Sequence, residues 1–284
     1  MDIAGKRAVV TGGGNGIGRG IALALAEDGA TQIIIADINT ADGEKAAEEL
    51  RAKGVDAVCR KVDIGRLDEI EALADFAWAR MGGVDLLFNN AGASRVAPAF
   101  DISDQDVAWL IQINVMGVVN GSRVFGRRMI EDGTRGWITN TSSQAGIGSR
   151  TPLLATYTGT KHFVVGYTDA LRADYGDKLG FSVVCPGLVA TNMWQVGMMR
   201  GEEFGGPVAG DPSAKSYMHD RGIAPEAAGR SVVDGIKAGS FFIWTHPSLE
   251  ICDERYRDQE ESSIRQWGDD ARQARPQPFR PVDA

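Results

Sequence analysis

A doubly wound, three-layer α/β fold around a parallel sheet is what this sequence predicts, and three observations carry the prediction. Short apolar strand patterns alternate with helical patterns along the chain. A glycine-rich turn, T-G-G-G-N-G-I-G at Thr11 to Gly18, stands between the first strand and the first helix. The carboxylate of Asp37 closes the second strand, about 20 residues further on, where such folds hold a ligand. With crossovers of the default right hand, successive strands then lie parallel in one sheet.

Each element has its own reason. Arg7 to Val10 is a short buried strand, and Ile21, Leu25 and Ala26 give one apolar face to the helix that runs to Gly29. Gln32 to Asp37, Q-I-I-I-A-D, is the unbroken apolar run that burial on both faces demands. Asn39 is placed to cap a helix through Ala46, Ala47 and Leu50 to Lys53. Val55 to Val62 alternates like a strand ending at Asp63, and Leu67, Ile70, Leu73, Ala74 and Ala77 share a face of the helix after it. Val84 to Phe88 makes a fourth strand, stopping at Asn89-Asn90-Ala91-Gly92. A long helix from Asp104 to Ile130 precedes the fifth strand, Trp137 to Thr141. The next helix carries Tyr157 to about Lys178, and a sixth strand, Phe181 to Cys185, is broken by Pro186-Gly187.

From Leu188 to Gly222 the chain is rich in glycine and methionine and reads as a mobile lid, with disorder as the competing reading. Pro225 to Ala238 returns to a helical pattern and Phe241 to Trp244 is a last strand. Residues 1–245 thus form one catalytic domain including the lid at 188–222, and 246–284 a C-terminal extension. In the extension Leu249, Cys252, Tyr256, Ile264 and Trp267 fall at helical spacing before a coil.

Composition narrows the function. With 284 residues, 43% hydrophobic and 24% charged, the chain can bury one sizeable core. A net charge of −8, with basic residues scattered, argues against nucleic acid as partner. Cys59, Cys185 and Cys252 are far apart and only three histidines could join them, which gives no metal-ligand spacing and fits reduced thiols in the cytoplasm. The first residues lead directly into a strand without a signal-peptide pattern, and no apolar run approaches membrane length.

Several groups suit a dinucleotide. Gly12, Gly16 and Gly18, with Asn15 and Ile17 between them, would let backbone approach a pyrophosphate and aim a helix N-terminus at its charge, although alone they read equally as a tight turn. Asp37, beside Ile38, suits the adenosine ribose hydroxyls and repels a 2′-phosphate; no Arg or Lys stands at position 15 or 38, so NAD is favoured over NADP. Asp63 and Ile64 could reach the adenine edge, or Asp63 could be a simple loop aspartate. Asn89 and Asn90, followed by Ala91 and Gly92, could bond the crossing backbone or line the cofactor.

The remaining chemistry lies between Ile138 and Lys161. Tyr157 and Lys161 stand one helical turn apart on one face. An ammonium roughly 5 Å from the phenol stabilises the phenolate by about 3 kcal/mol at an effective dielectric of ~20, so the sequence predicts a tyrosine that acts near neutral pH. Ser143 ends the fifth strand, where the sheet edge can bring its hydroxyl beside Tyr157, both binding one substrate oxygen. A Y-x-x-x-K pattern taken alone would read as a half-buried aromatic and a solvated charge.

The order of motifs resembles the short-chain dehydrogenase/reductase family: T-G-G-G-N-G-I-G, N-N-A-G at Asn89 to Gly92, N-V-M-G at Asn114 to Gly117, S-S-Q-A-G at Ser142 to Gly146, Y-T-G-T-K at Tyr157 to Lys161 and P-G-L-V-A-T at Pro186 to Thr191. The resemblance covers roughly residues 4 to 195 and implies a Rossmann-type domain with a tetrad of Asn114, Ser143, Tyr157 and Lys161. It further implies that Lys161 binds the nicotinamide ribose, that Asn114 holds a water leading from Lys161 to solvent, and that Pro186, Gly187, Val189 and Thr191 flank the nicotinamide. Ser142 is the rival for the serine role.

The expected reaction is hydride transfer between NAD(H) and a secondary alcohol or ketone. Ser143, Gln144, Leu153, Tyr157, Met193, Trp194 and Met198 are the candidate substrate contacts. The apolar character of the lid through Met193, Trp194, Met198, Met199 and Phe204 points to an aromatic, terpenoid or steroid-like molecule, with packing of these side chains into the core as the other reading. A 3-oxoacyl-thioester reductase of the same fold and a catalytically silent NAD-binding scaffold are the rival readings. Two long helices with several apolar faces suggest a homodimer or homotetramer, as in relatives. The tail after Ser240 resembles that of members oxidising bulky benzylic alcohols, such as bacterial Cα-dehydrogenases of lignin-type aryl ethers; a docking helix or subunit contact is the other reading.

Overall fold

A computed structural model of the chain describes residues 1–148, 151–247, 257 and 259–266. Seven strands, β1 (Arg7–Thr11), β2 (Gln32–Asp37), β3 (Asp56–Lys61), β4 (Leu86–Asn89), β5 (Trp137–Thr141), β6 (Gly180–Cys185) and β7 (Phe242–Trp244), form one parallel sheet in the order β3-β2-β1-β4-β5-β6-β7. The order reverses between β1 and β4, which leaves a crevice at the carboxyl ends of these strands.

The unbroken apolar runs are explained by the two faces they serve. Ala8 and Val10, Ile33 and Ile35, Leu86 and Phe88 enter the core beneath α1 (Gly16–Glu27), α2 (Thr40–Ala52) and α8 (Pro225–Lys237). Val9, Ile34 and Leu87, one residue out of phase, face α3 (Leu67–Met81) and α5 (Gly117–Glu131) on the other side. Val164 of α6 (Ala155–Tyr175) joins that second side by packing with Val183 and Cys185. The doubly wound, three-layer prediction therefore holds, and Asn39 caps α2 as expected, its side chain accepting from the Ala41 and Asp42 amides.

Three stretches depart from the sequence reading. The long helix from Asp104 is α4 (Asp104–Ile111), a π turn at Gln112–Met116 and then α5. Helix α6 ends at Tyr175, short of Lys178, where Gly176 and the following turn break it. The segment 188–222 is built of short helices, with 3-10 turns at Asn192–Met199 and Glu202–Phe204 and a helix α7 at Pro212–Arg221. Its apolar side chains explain why it is not an open loop: Val196 and Phe204 pack against Trp109 and Leu110. Asp211 caps α7, accepting from the Ser213 amide at 2.8 Å, with Pro212 in the first turn.

The chain divides into two compact units, Met1–Pro247 and Ser248–Ala284. In the second, residues 259–266 are helical, with Arg265 and Glu261 paired at 3.7 Å. The expectations for Leu249, Cys252, Tyr256, Trp267 and the terminal coil lie outside the described residues. No helix among the described residues is long and apolar enough to cross a membrane.

Candidate active site

A cavity of about 730 Å³ opens along the carboxyl edge of the sheet, bordered at one end by the glycine turn and at the other by Ser143, Tyr157 and Lys161. That volume is within the range of small-molecule and cofactor sites. At the glycine end, Gly12 and Gly16 have φ of 61° and 52°, a backbone that side chains seldom adopt. A Cβ at Gly12 would also lie 2.8 Å from the Ala91 Cα, and one at Gly16 would lie 2.9 Å from Thr191 Cγ2. The turn thus brings bare backbone and the start of α1 to the cavity wall, the cradle a pyrophosphate needs.

Asp37 is fixed beside that turn. Its Oδ2 accepts from the Gly14 amide and its Oδ1 from the Asn39 amide, both at 2.9 Å. Burial pushes its pKa above the usual carboxylate range, against the pull of these two amides, and the neighbouring Asp42 charge adds to the rise. Asp63 is likewise raised by burial, while the Gly65 amide donates to its Oδ1 at 2.9 Å. These carboxylates and the glycine cradle fit an adenosine ribose and pyrophosphate.

At the other end, Ser143 and Tyr157 share a side-chain hydrogen bond, and Lys161 Nζ lies 5.7 Å from the tyrosine ring centroid. Lys161 is buried and donates to the Thr141 carbonyl oxygen at 3.0 Å. Ser142 is not part of this group. Its hydroxyl donates to the Lys161 carbonyl oxygen at 2.8 Å, so of the two serines Ser143 is the one at the phenol.

Residues 6–198 match the family described as short chain dehydrogenase. The chain belongs to that family. It is 36% identical over 190 residues to an (S)-acetoin-forming diacetyl reductase of Staphylococcus epidermidis, a match covering 66% of this chain and 73% of that protein. Over 200 residues it is 38% identical to a 2,5-dichloro-2,5-cyclohexadiene-1,4-diol dehydrogenase of Sphingobium indicum, covering 69% and 78% of the two chains. Among solved structures, a short chain dehydrogenase/reductase of Burkholderia phymatum in complex with NAD superposes with a TM-score of 0.86 at 30% identity, covering 92% of this chain and 96% of that one. LigO from Sphingobium sp. strain SYK-6 superposes with a TM-score of 0.79 at 29% identity, covering 96% and 94%. The protein is therefore an oxidoreductase of the short-chain dehydrogenase type.

In this dehydrogenase the predicted cofactor residues Gly12, Asn15, Gly16, Ile17, Asp37, Ile38, Asp63, Ile64, Asn90, Ala91, Gly92, Tyr157, Lys161, Pro186, Gly187, Val189 and Thr191 all border the cavity. Gly18 does not. It is a packing glycine, because a Cβ there would be driven into the Gly12 carbonyl oxygen and lie 2.6 Å from Asn90 Nδ2. Asn90 borders the cavity, yet its amide group braces the turn, donating to the Thr11 and Gly12 carbonyl oxygens at 3.1 and 3.3 Å. Asn89 points into the core, where it donates to Ser122 and Asn140 at 3.1 and 2.8 Å.

Asn114 lies behind the cavity wall, in the π turn and buried. Its Oδ1 accepts from the Ala93 amide at 2.8 Å, and its Nδ2 donates to the Ala93 carbonyl at 2.9 Å and to Thr160 Oγ1 at 3.0 Å. The side chain thus ties the loop after β4 to α6. Gly92 fills the space between Asn114 and the lysine: a Cβ there would lie 3.2 Å from Asn114 Oδ1 and 3.3 Å from Lys161 Nζ.

The expected low pKa of Tyr157 is corrected by the structure. Burial raises the phenol above its ordinary value, and the Ser143 hydrogen bond opposes this only in part. Burial also lowers Lys161, to about 8, so burial moves both groups toward their neutral forms.

Of the predicted substrate contacts, Ser143, Gln144, Tyr157, Met193 and Trp194 border the cavity. Leu153 and Met198 face out, 50% and 48% exposed, and their neighbours Leu154 and Met199 line the cavity instead. Trp109, Ile113, Tyr217, Met218 and, near Asp37 in the chain, Asn39 and Asp42 also line it and were not anticipated. The signal for one pair was present, since Trp109 and Ile113 are four residues apart on one helical face.

Proposed function

We propose that this chain is an NAD-dependent dehydrogenase or ketoreductase of secondary alcohols and ketones, with Tyr157 as the acid/base. The observation that carries the reading is the convergence of Ser143, Tyr157 and Lys161 on one end of the cavity whose other end holds the glycine cradle and Asp37. NAD, when bound, supplies the hydride acceptor and NADH the donor. The cradle of Gly12 and Gly16 would hold its pyrophosphate, Asp37 its adenosine ribose, and Lys161 the ribose beside the nicotinamide. Ser143 donates to the substrate oxygen as charge develops on it. Tyr157, protonated in the free protein, is poised to give that oxygen a proton in reduction and takes it back in oxidation. At neutral pH Lys161 still carries its charge, which favours the phenolate in the oxidative direction.

The substrate body is apolar and of aromatic, terpenoid or steroid-like size. Trp109, Leu154, Trp194, Val196, Met199 and Tyr217 border its end of the cavity, three of them aromatic. Of these residues, Met199 and Tyr217 lie beyond residue 198, where the family match ends. Residues 188–222 act as the cover of this pocket, residues 1–245 as the catalytic domain and 246–284 as its extension. A cytoplasmic homodimer or homotetramer completes the proposal. A panel of secondary alcohols with NAD tests it: bulky aryl carbinols should turn over faster than 2-butanol or lactate, and preference for the small polar alcohols would contradict it.

A further inference from the structure

Asp42 lines the adenosine end of the cavity together with Asn15, Asp37, Ile38 and Asn39. Its position is fixed from two sides, since its Oδ2 accepts from Asn39 Nδ2 at 2.9 Å and from Asn15 Nδ2 at 3.4 Å. The glycine turn presses against the same place. A Cβ at Gly14 would lie 2.7 Å from the Gly43 amide nitrogen, 2.9 Å from the Asp42 carbonyl carbon and 3.0 Å from Asp37 Oδ2, so no side chain separates turn, carboxylates and the first turn of α2.

A helix N-terminus at this position would ordinarily attract an anion. Here that capacity is already used: the Ala41 and Asp42 amides donate to Asn39 Oδ1 at 3.2 and 3.3 Å, and Asp42 itself sets a negative charge in the first turn. No compensating cation lines this end, because among the described residues bordering the cavity Lys161 is the sole lysine or arginine, and it stands with Tyr157. Arg19, in the nearby helix α1, is engaged by Glu49 and by Glu226, the latter at 2.6 Å.

We infer that Asp42 is a second specificity-determining carboxylate which, with Asp37, excludes a 2′-phosphorylated dinucleotide from the adenosine end of the site. The inference rests on the reading of this cavity as a nicotinamide dinucleotide site. It goes further in one respect: Asp37 alone does not set the preference, so removing it leaves a second fixed charge facing the phosphate.

Fluorescence titration of NADH and NADPH against the purified full chain tests this without any substrate, using wild type, Asp37→Asn, Asp42→Asn, Asp42→Ser and the Asp37→Asn/Asp42→Asn double variant. Removing Asp42 should shift the NADPH-to-NADH affinity ratio by roughly ten-fold toward NADPH on both the wild-type and Asp37→Asn backgrounds, as expected for one carboxylate near a dianionic phosphate at partial exposure. Two substitutions guard against one that fails to fold. If NADH still binds and the ratio is unchanged by both Asp42 variants on both backgrounds, the inference is overturned while the dinucleotide reading stands. If wild type binds neither nucleotide, the dinucleotide reading fails and takes the inference with it.

Discussion

Lys161 donates its Nζ proton to the carbonyl oxygen of Thr141 across 3.0 Å, which fastens helix α6 to the end of β5 and holds a cation where water is scarce. Burial lowers its pKa from 10.5 to about 8. Below about pH 8 folded and unfolded chains both carry this charge, and the folded chain bears the full desolvation cost. Between about pH 8 and about pH 10.5 the unfolded chain binds the extra proton, so the contribution of this group to stability rises with pH, by at most about 3 kcal/mol. Urea unfolding at both ends of that window should show wild type gaining on Lys161→Met as pH rises. A difference between the two proteins that does not change with pH would contradict the burial argument.

The glycine turn is held by contacts that leave no room at Gly18. Gly18→Ala would force its methyl group against the Gly12 carbonyl and the Asn90 amide. It should cost about 1–3 kcal/mol of stability through overpacking and weaken NADH binding at the same time. Unfolding and nucleotide titration that both match wild type would show that the turn is looser than described.

Asn114 supplies the hydrogen-bond partners of the Ala93 amide and carbonyl. In Asn114→Ala both groups lose them in a buried place, a change worth about 3 kcal/mol. Denaturant unfolding measures it, and a loss below about 0.5 kcal/mol would mean that water replaces the side chain there.

Asp106 pairs with Arg200, joining α4 to the segment after Met199, and both are buried. Arg95 and Ser103 hold its other oxygen at 3.3 and 2.9 Å. Asp106→Asn leaves the arginine charge without its counter-ion, which should destabilise the fold by about 3 kcal/mol. Hydrogen exchange should quicken across residues 192–206 as well. Unaltered exchange in that segment would show that the pair does not hold it.

Much of this was legible in the sequence because the decisive signals are local. The strands were legible from their patterns, Gln32–Asp37 as an unbroken apolar run that needs burial on both faces, Asp56–Lys61 inside an alternating stretch and Phe242–Trp244 from F-F-I-W. The cradle and the Ser143, Tyr157 and Lys161 group were legible from residue type and order. What was hidden depends on three-dimensional surroundings. The π turn at Gln112–Met116 inserts no unusual residue into the apolar pattern, so the sequence reads straight through it as one long helix. The short helices of 192–221 hide behind glycines and are held by tertiary contacts such as Val196 and Phe204 on Trp109. The tyrosine was assigned the wrong direction of pKa shift because spacing reports a nearby lysine but not the burial of both groups.

Tyr157 as the proton-transfer group is the central claim, and Tyr157→Phe tests it most directly. The variant keeps the ring and its place in α6 but has no proton to exchange. With any secondary alcohol that wild type oxidises, turnover at saturating NAD should fall by roughly a hundredfold or more, while NADH titration shows the nucleotide still bound. Turnover equal to that of wild type, with the nucleotide bound, would contradict the account.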